Sequence, residues 1–163
     1  MKTAVVYYSL EGNTRYAAEK VADALEADVI ELVPKKAYPD QGFKKFFWGG
    51  KAATMKDKPE LEPYGFDSSK YDLVVLCTPV WAGTFTPPLR TFLSENDLSS
   101  KRVAVLASSS GGSAEKCISR LMEAAGASSI AAQVSLVDPK ARPSEENEKL
   151  LNDFIDELGR LKV

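Results

Sequence analysis

Five short apolar runs, each followed by a stretch of different periodicity, constrain this chain most. They are residues 3–8 (TAVVYY), 28–33 (DVIELV), 72–77 (DLVVLC), 102–107 (RVAVLA) and 129–137 (SIAAQVSLV). After the first run, Ala18, Val21, Ala22 and Leu25 recur at i, i+3, i+4 and i+7, which marks one face of a helix. Leu89, Phe92 and Leu93 give a second helix its core face, behind Thr86 as N-cap and Pro87 as first helical residue. Ala114, Cys117, Ile118, Leu121, Met122 and Ala125 keep helical spacing as far as Gly126, with Ser113 the expected N-cap. A last helix opens at Pro143 and Ser144 and buries Leu151, Phe154, Ile155 and Leu158. It carries Glu145, Glu146 and Glu148 early and Arg160 and Lys162 late, the order the helix dipole favours. Tyr7 and Tyr8 fall on opposite faces of the first strand.

Strands alternate with helices, and the strands read as near-continuous apolar runs. That pattern predicts a parallel sheet covered on both faces, an open doubly wound α/β fold. Residues 34–70 break the rhythm. Phe43, Phe46, Phe47 and Trp48 cluster there, and eight lysines stand against five acidic residues. The expectation is an irregular, locally basic crossover with a short helix over residues 43–55.

Composition removes whole classes of chemistry. The chain has no histidine, which excludes His-based triads, His general bases and His metal ligands. Cys77 and Cys117 are far apart and read as buried thiols, without the clustering a metal or iron–sulfur site needs. Net charge is −2, from 21 basic and 23 acidic residues, so nothing marks a nucleic-acid partner. Apolar runs fall short of the roughly 18–20 residues that span a bilayer. MKTAVVYYSLEG lacks a signal-peptide cleavage pattern, and a cytoplasmic protein with no membrane partner is expected.

Doubly wound sheets bind ligands beyond the carboxyl ends of their strands. Three loops there are rich in Gly, Ser and Thr. The first holds Ser9, Leu10, Glu11, Gly12, Asn13 and Thr14 ahead of a helix, whose free N–H groups make an anion seat. Ser9 and Thr14 offer hydroxyls, Asn13 an amide donor and Gly12 a tight turn. The second, TPVWAGTFTPPL, sets Trp81 at a strand end beside Pro79 and Gly83. The ring either stacks on a flat ligand or packs against Phe85 or the crossover. The third, SSSGGS over residues 108–113, supplies amides and hydroxyls without bulk. A phosphate seat, an aromatic wall and a narrow polar slot together match FMN.

These loops carry a resemblance to the flavodoxins. Ser9-Leu10-Glu11-Gly12-Asn13-Thr14 resembles their phosphate loop, Ser/Thr-x-x-Gly-x-Thr. Thr78, Pro79, Val80, Trp81, Ala82 and Gly83 resemble the loop that sets an aromatic beside the isoalloxazine, and Ser109, Ser110, Gly111 and Gly112 lie at the third flavin loop. The resemblance implies a single flavodoxin-like domain over residues 1–163, with a five-stranded parallel sheet in the order 2-1-3-4-5. It implies FMN as cofactor, no metal, and a peptide near Ala82–Gly83 that contacts the N5 edge of the ring and reorients on reduction. It also implies low-potential electron transfer between redox partner proteins, by a monomer or weak dimer. SSSGGS lacks the acidic residue and the Tyr that many flavodoxins place there. One ring face is therefore open, or covered by an aromatic such as Trp48.

Two rival readings remain. An NAD(P)H-dependent flavin or quinone reductase is favoured by the bare third loop, but no nicotinamide-nucleotide motif is visible. A phosphatase-like protein is suggested by Ser9 and Arg15, which share the Cys-x5-Arg spacing of low-molecular-weight tyrosine phosphatases, and by Asp138-Pro139. Ser9 replaces the thiol nucleophile, and no His is present to activate it. Arg15 then reads as a solvated helix residue and Glu11 as a turn residue.

Overall fold

A computed structural model describes residues 1–38, 57–127 and 129–161. Five strands form one sheet: β1 (Thr3–Tyr7), β2 (Asp28–Glu31), β3 (Leu73–Pro79), β4 (Arg102–Ser109) and β5 (Ile130–Val137). Their order is β2-β1-β3-β4-β5 and every pairing is parallel. The described helices are α1 (Asn13–Leu25), α2 (Pro87–Glu95), α3 (Glu115–Ala125) and α4 (Glu145–Arg160), with a short 3-10 turn at Ser68–Lys70. The expected doubly wound fold and strand order are therefore present.

Alternation along the strands divides the core in two. Val5, Tyr7, Leu73, Val75, Cys77, Ala104 and Leu106 pack with Ala17, Val21 and Leu25 of α1 and Leu151, Phe154 and Leu158 of α4. Val6, Tyr8, Val74, Leu76, Val103 and Val105 face Leu89 and Phe92 of α2 and Cys117, Ile118 and Leu121 of α3. Both faces of β1 and β3 are thus buried, which is why their sequences do not alternate. The edge strands behave differently. Only Ile30 of β2 is buried, and β5 buries Ala132, Val134 and Leu136 while exposing Gln133 and Val137. Cys77 and Cys117 are both buried and unpaired, and burial pushes the Cys117 thiol up to about 12.

Several boundaries differ from expectation. β3 and β4 each run two residues further, through Pro79 and Ser109, poor strand formers held by the ladder. Pro79 is tolerated because β1 has already ended, while the next residue, Val80, donates its N–H to the Ser108 carbonyl at 2.9 Å. β1 and β2 stop earlier, at Tyr7 and Glu31. Ala114, not Ser113, is the N-cap position of α3, although the Ser113 hydroxyl accepts from Glu115 N–H at 3.3 Å. The last helix, expected to open at Pro143 and Ser144, begins at Glu145, with Ser144 as its N-cap accepting from Asn147 N–H.

The crossover leaves the sheet through an antiparallel clip. Pro34 bridges Leu61, Lys35 N–H donates to the Glu60 carbonyl at 2.9 Å, and Glu62 N–H donates to the Val33 carbonyl at 2.7 Å. The helix expected over residues 43–55, with Trp48, lies outside the described residues. Among the described residues no helix is long and apolar enough to cross a membrane.

Candidate functional site

A cavity of about 150 Å³ opens at the carboxyl ends of β1, β3 and β4. The strand order reverses there: β1 leads outward to β2 on one side, and β3 leads to β4 on the other. Ser9, Leu10, Glu11, Asn13 and Thr14 line it from the first loop, and Pro79, Val80, Trp81 and Ala82 from the second. Ser109 and Ser110 line it from the third, joined by Ser108 and Asp138. Gly12, Thr78, Gly83, Gly111 and Gly112, also expected at the site, lie outside this lining.

The first loop turns on Gly12, whose φ of 97° belongs to the left-handed region. Gly12 is the N-cap position of α1, and Tyr16 N–H is bonded back to its carbonyl at 3.0 Å. The first-turn N–H groups of Asn13, Thr14 and Arg15 lack intrahelical partners by geometry. Gly12 N–H itself is used, donating to Ser9 Oγ at 3.1 Å, which leaves the Ser9 hydroxyl proton available. Thr14 is 1% exposed and lines the cavity, and among the described residues its hydroxyl makes no hydrogen bond.

Asn13 takes a different part from the one its sequence position suggests. Its Oδ1 accepts from Lys140 N–H and Ala141 N–H, both at 3.0 Å, and its Nδ2 donates to Asp138 Oδ1 at 3.4 Å. The amide ties the first loop to the β5–α4 turn. Asp138 also pairs with Arg142 at 2.7 Å, and the same guanidinium donates to the Ser110 carbonyl at 2.6 Å. This fourth loop joins the first and third loops together. Nothing local in the sequence announces it, because Asn13 and Lys140 are 127 positions apart.

The second loop is a two-residue turn. Trp81 and Thr84 exchange backbone hydrogen bonds at 2.9 and 3.0 Å, with Ala82 at φ 50° and Gly83 at φ 75°. Two positive φ values in succession define a type I′ turn, which Gly accepts readily and Ala does not. Thr78 anchors its base: its Oγ1 accepts from Thr86 N–H at 3.1 Å and donates to the Pro79 carbonyl. Trp81 meets Tyr8 edge-on at 5.7 Å and Tyr38 at 5.3 Å, so its packing includes the crossover. It remains half-buried and lines the cavity. Burial pushes the Tyr38 phenol up to about 12 and the Tyr8 phenol higher, so both rings are neutral around pH 7.

Arg15 does not line the cavity. It lies on the exposed side of α1 and pairs with Glu19 at 2.8 Å. The Ser9–Arg15 spacing therefore does not close into an anion loop with the guanidinium inside. No group of three or more His, Cys, Asp or Glu residues suited to a metal ion occurs among the described residues.

The family model described as flavodoxin matches residues 2–154. Comparison with curated protein sequences finds no match. Among solved structures, the chain is similar to a flavoprotein in complex with FMN from Lactobacillus acidophilus NCFM. Identity is 26%, with 86% of this chain and 95% of that chain covered and a TM-score of 0.69. It is also similar in fold to the flavodoxin of Streptococcus pneumoniae TIGR4, at 21% identity, full coverage of both chains and a TM-score of 0.59. Oxidised flavodoxin 2 from Bacillus cereus aligns at 17% identity over 98% of this chain and 99% of its own, with a TM-score of 0.62.

Proposed function

The chain belongs to the flavodoxin family, and from that premise we propose that it binds FMN in the cavity beyond β1, β3 and β4 and carries electrons between redox partner proteins. The observation that carries this reading is one convergence. The unpaired first turn of α1, the partnerless hydroxyl of Thr14 and the half-buried ring of Trp81 all meet at the same cavity. A phosphate satisfies the first two and a flat ring uses the third.

The residues fit the cofactor with an adjusted division of labour. Ser9 and Thr14 would hold the phosphate with the N–H groups of the α1 first turn. Asn13 would act as a brace, since its amide is committed to the β5–α4 turn. Trp81 would form one ring wall, Ala82 and Gly83 would place a peptide near the ring edge, and Ser108, Ser109 and Ser110 would line the slot. The described walls enclose about 150 Å³, less than a typical ligand pocket of roughly 300–1,000 Å³. A cofactor of this size would reach beyond those walls, which suits electron exchange with a docked partner. Bound FMN supplies the electron chemistry, and the protein positions and tunes it.

An absorbance titration of the purified protein with FMN tests the binding. Shifted visible bands and quenched Trp fluorescence are expected. Unshifted bands with unquenched fluorescence at high FMN would defeat the reading. Reduction by dithionite in two successive one-electron stages is the carrier's signature.

One observation favours a second reading. Residues 110–113 are all exposed and carry no large side chain, so a small substrate could stack where a second aromatic is missing. An NAD(P)H-dependent flavin or quinone reductase would use that space. Rapid turnover of NADH or NADPH with a quinone by the purified holoprotein alone would replace the carrier role with this one.

A further inference from the structure

One cation of the β5–α4 turn is left without a task by the flavin reading. Lys140 lies across Gly12: a β-carbon built on that glycine would sit 3.1 Å from Lys140 Nζ, 3.4 Å from its Cδ and 3.8 Å from its Cε. The lysine is held there through its backbone, because its N–H and that of Ala141 both donate to Asn13 Oδ1. The neighbouring cations are already committed. Arg142 pairs with Asp138, and Arg15 pairs with Glu19. Lys140 makes no ion pair among the described residues.

Lys140 is exposed and stands behind Gly12, outside the cavity lining, at the end of a helix that disfavours a cation. Cations are favoured at helix C-termini, and the N-terminus carries roughly half a positive charge. Here an ammonium rests on the N-cap glycine of α1, a 13-residue helix with its first-turn N–H groups unpaired. The adjacent Thr14 lines the cavity, and its hydroxyl has no partner among the described residues. An anion seated at this N-terminus would pair with the first-turn N–H groups and the Thr14 hydroxyl and would attract the ammonium beside Gly12.

We infer that Lys140 is the counter-charge for the cofactor phosphate, so that the protein selects FMN over uncharged riboflavin by an ion pair as well as by loop hydrogen bonds. This rests on the flavin reading above and assigns a role to a residue outside the three strand-end loops. Asn13 is then the positioning residue: it fixes the lysine's backbone against the phosphate loop without itself donating to the anion.

The test compares FMN and riboflavin affinities of the wild type, Lys140→Gln and Lys140→Arg by fluorescence titration, at low and high salt. The Gln variant should bind FMN about tenfold more weakly, the usual effect of losing a hydrogen bond to a charged group. Its riboflavin affinity should be unchanged, and its FMN affinity should depend less on salt. The Arg variant should restore most of the FMN preference. Equal FMN affinity in wild type and Lys140→Gln would overturn the lysine's role and leave the flavin site standing. An equal loss for FMN and riboflavin would overturn it as well, by showing a structural effect. A wild type that binds neither flavin overturns the flavin reading, and the lysine's role falls with it.

Discussion

The two ends of the cavity are built differently. At the β1 end, Asn13 makes three hydrogen bonds to the β5–α4 turn, Ser9 takes the Gly12 N–H, and Arg142 locks Asp138. At the β4 end, residues 110–113 are all exposed; Arg142 holds the Ser110 carbonyl at 2.6 Å, but beyond it the serine hydroxyls accept from backbone N–H groups only at 3.3 Å, Ser109 from Gly111 and Ser113 from Glu115. The braced end would seat the cofactor's charge, and the loose end would border its ring. Bracing removes the ordering cost of binding where the anion sits. Looseness would leave room for a partner or substrate to approach the ring under the proposed carrier or reductase role.

Substitutions at the two ends should separate them. Asn13→Ala leaves two backbone N–H groups without acceptors and should cost about 2–3 kcal/mol in urea unfolding. A loss as small as that at the β4 end would break the contrast. Trp81→Ala removes edge contacts to Tyr8 and Tyr38 and should cost about 1 kcal/mol, while abolishing most of the flavin-dependent Trp quenching. Trp48 would report any remainder.

The ring cluster gives a smaller, pH-dependent effect. Tyr38 is raised by burial, with Asp57 adding to it, from 10.0 to about 12. Its folded pKa exceeds the unfolded one, so its contribution is complete below pH 10.0 and is lost as pH rises towards about 12. Stability should therefore decline across that window, and Tyr38→Phe should flatten the decline. The smallest effect should be Ser110→Ala, within about 0.5 kcal/mol in thermal or urea unfolding. A larger loss would mean that the β4 end is braced after all.

How much of this the sequence discloses depends on range. Buried parallel strands must be apolar on both faces, so TAVVYY and DLVVLC are visible as strands without any partner in view. Helix faces, the Thr86-Pro87 start and the Gly126 stop are equally local. The family resemblance stands, because the match runs through residues 2–154. Pro79 and Ser109 were hidden as strand residues, because pairing with neighbours outweighed their own poor propensity. The part of Asn13 was hidden because its partners lie at the far end of the chain. Asp138 and Lys140 follow β5, whose loop carries none of the Gly, Ser and Thr richness that marks the other three. The available signal was topological: every β–α loop of a parallel sheet emerges at the same end.

The clip between Pro34 and Leu61 has an evolutionary consequence. It brings the two ends of the crossover together before the chain between them is counted. Added loose chain would cost only about 0.6 kcal/mol per doubling in length, and the sheet would not register the change. The fold thus has a graft point, where that one segment could be lengthened or exchanged in descendants while the sheet is inherited intact.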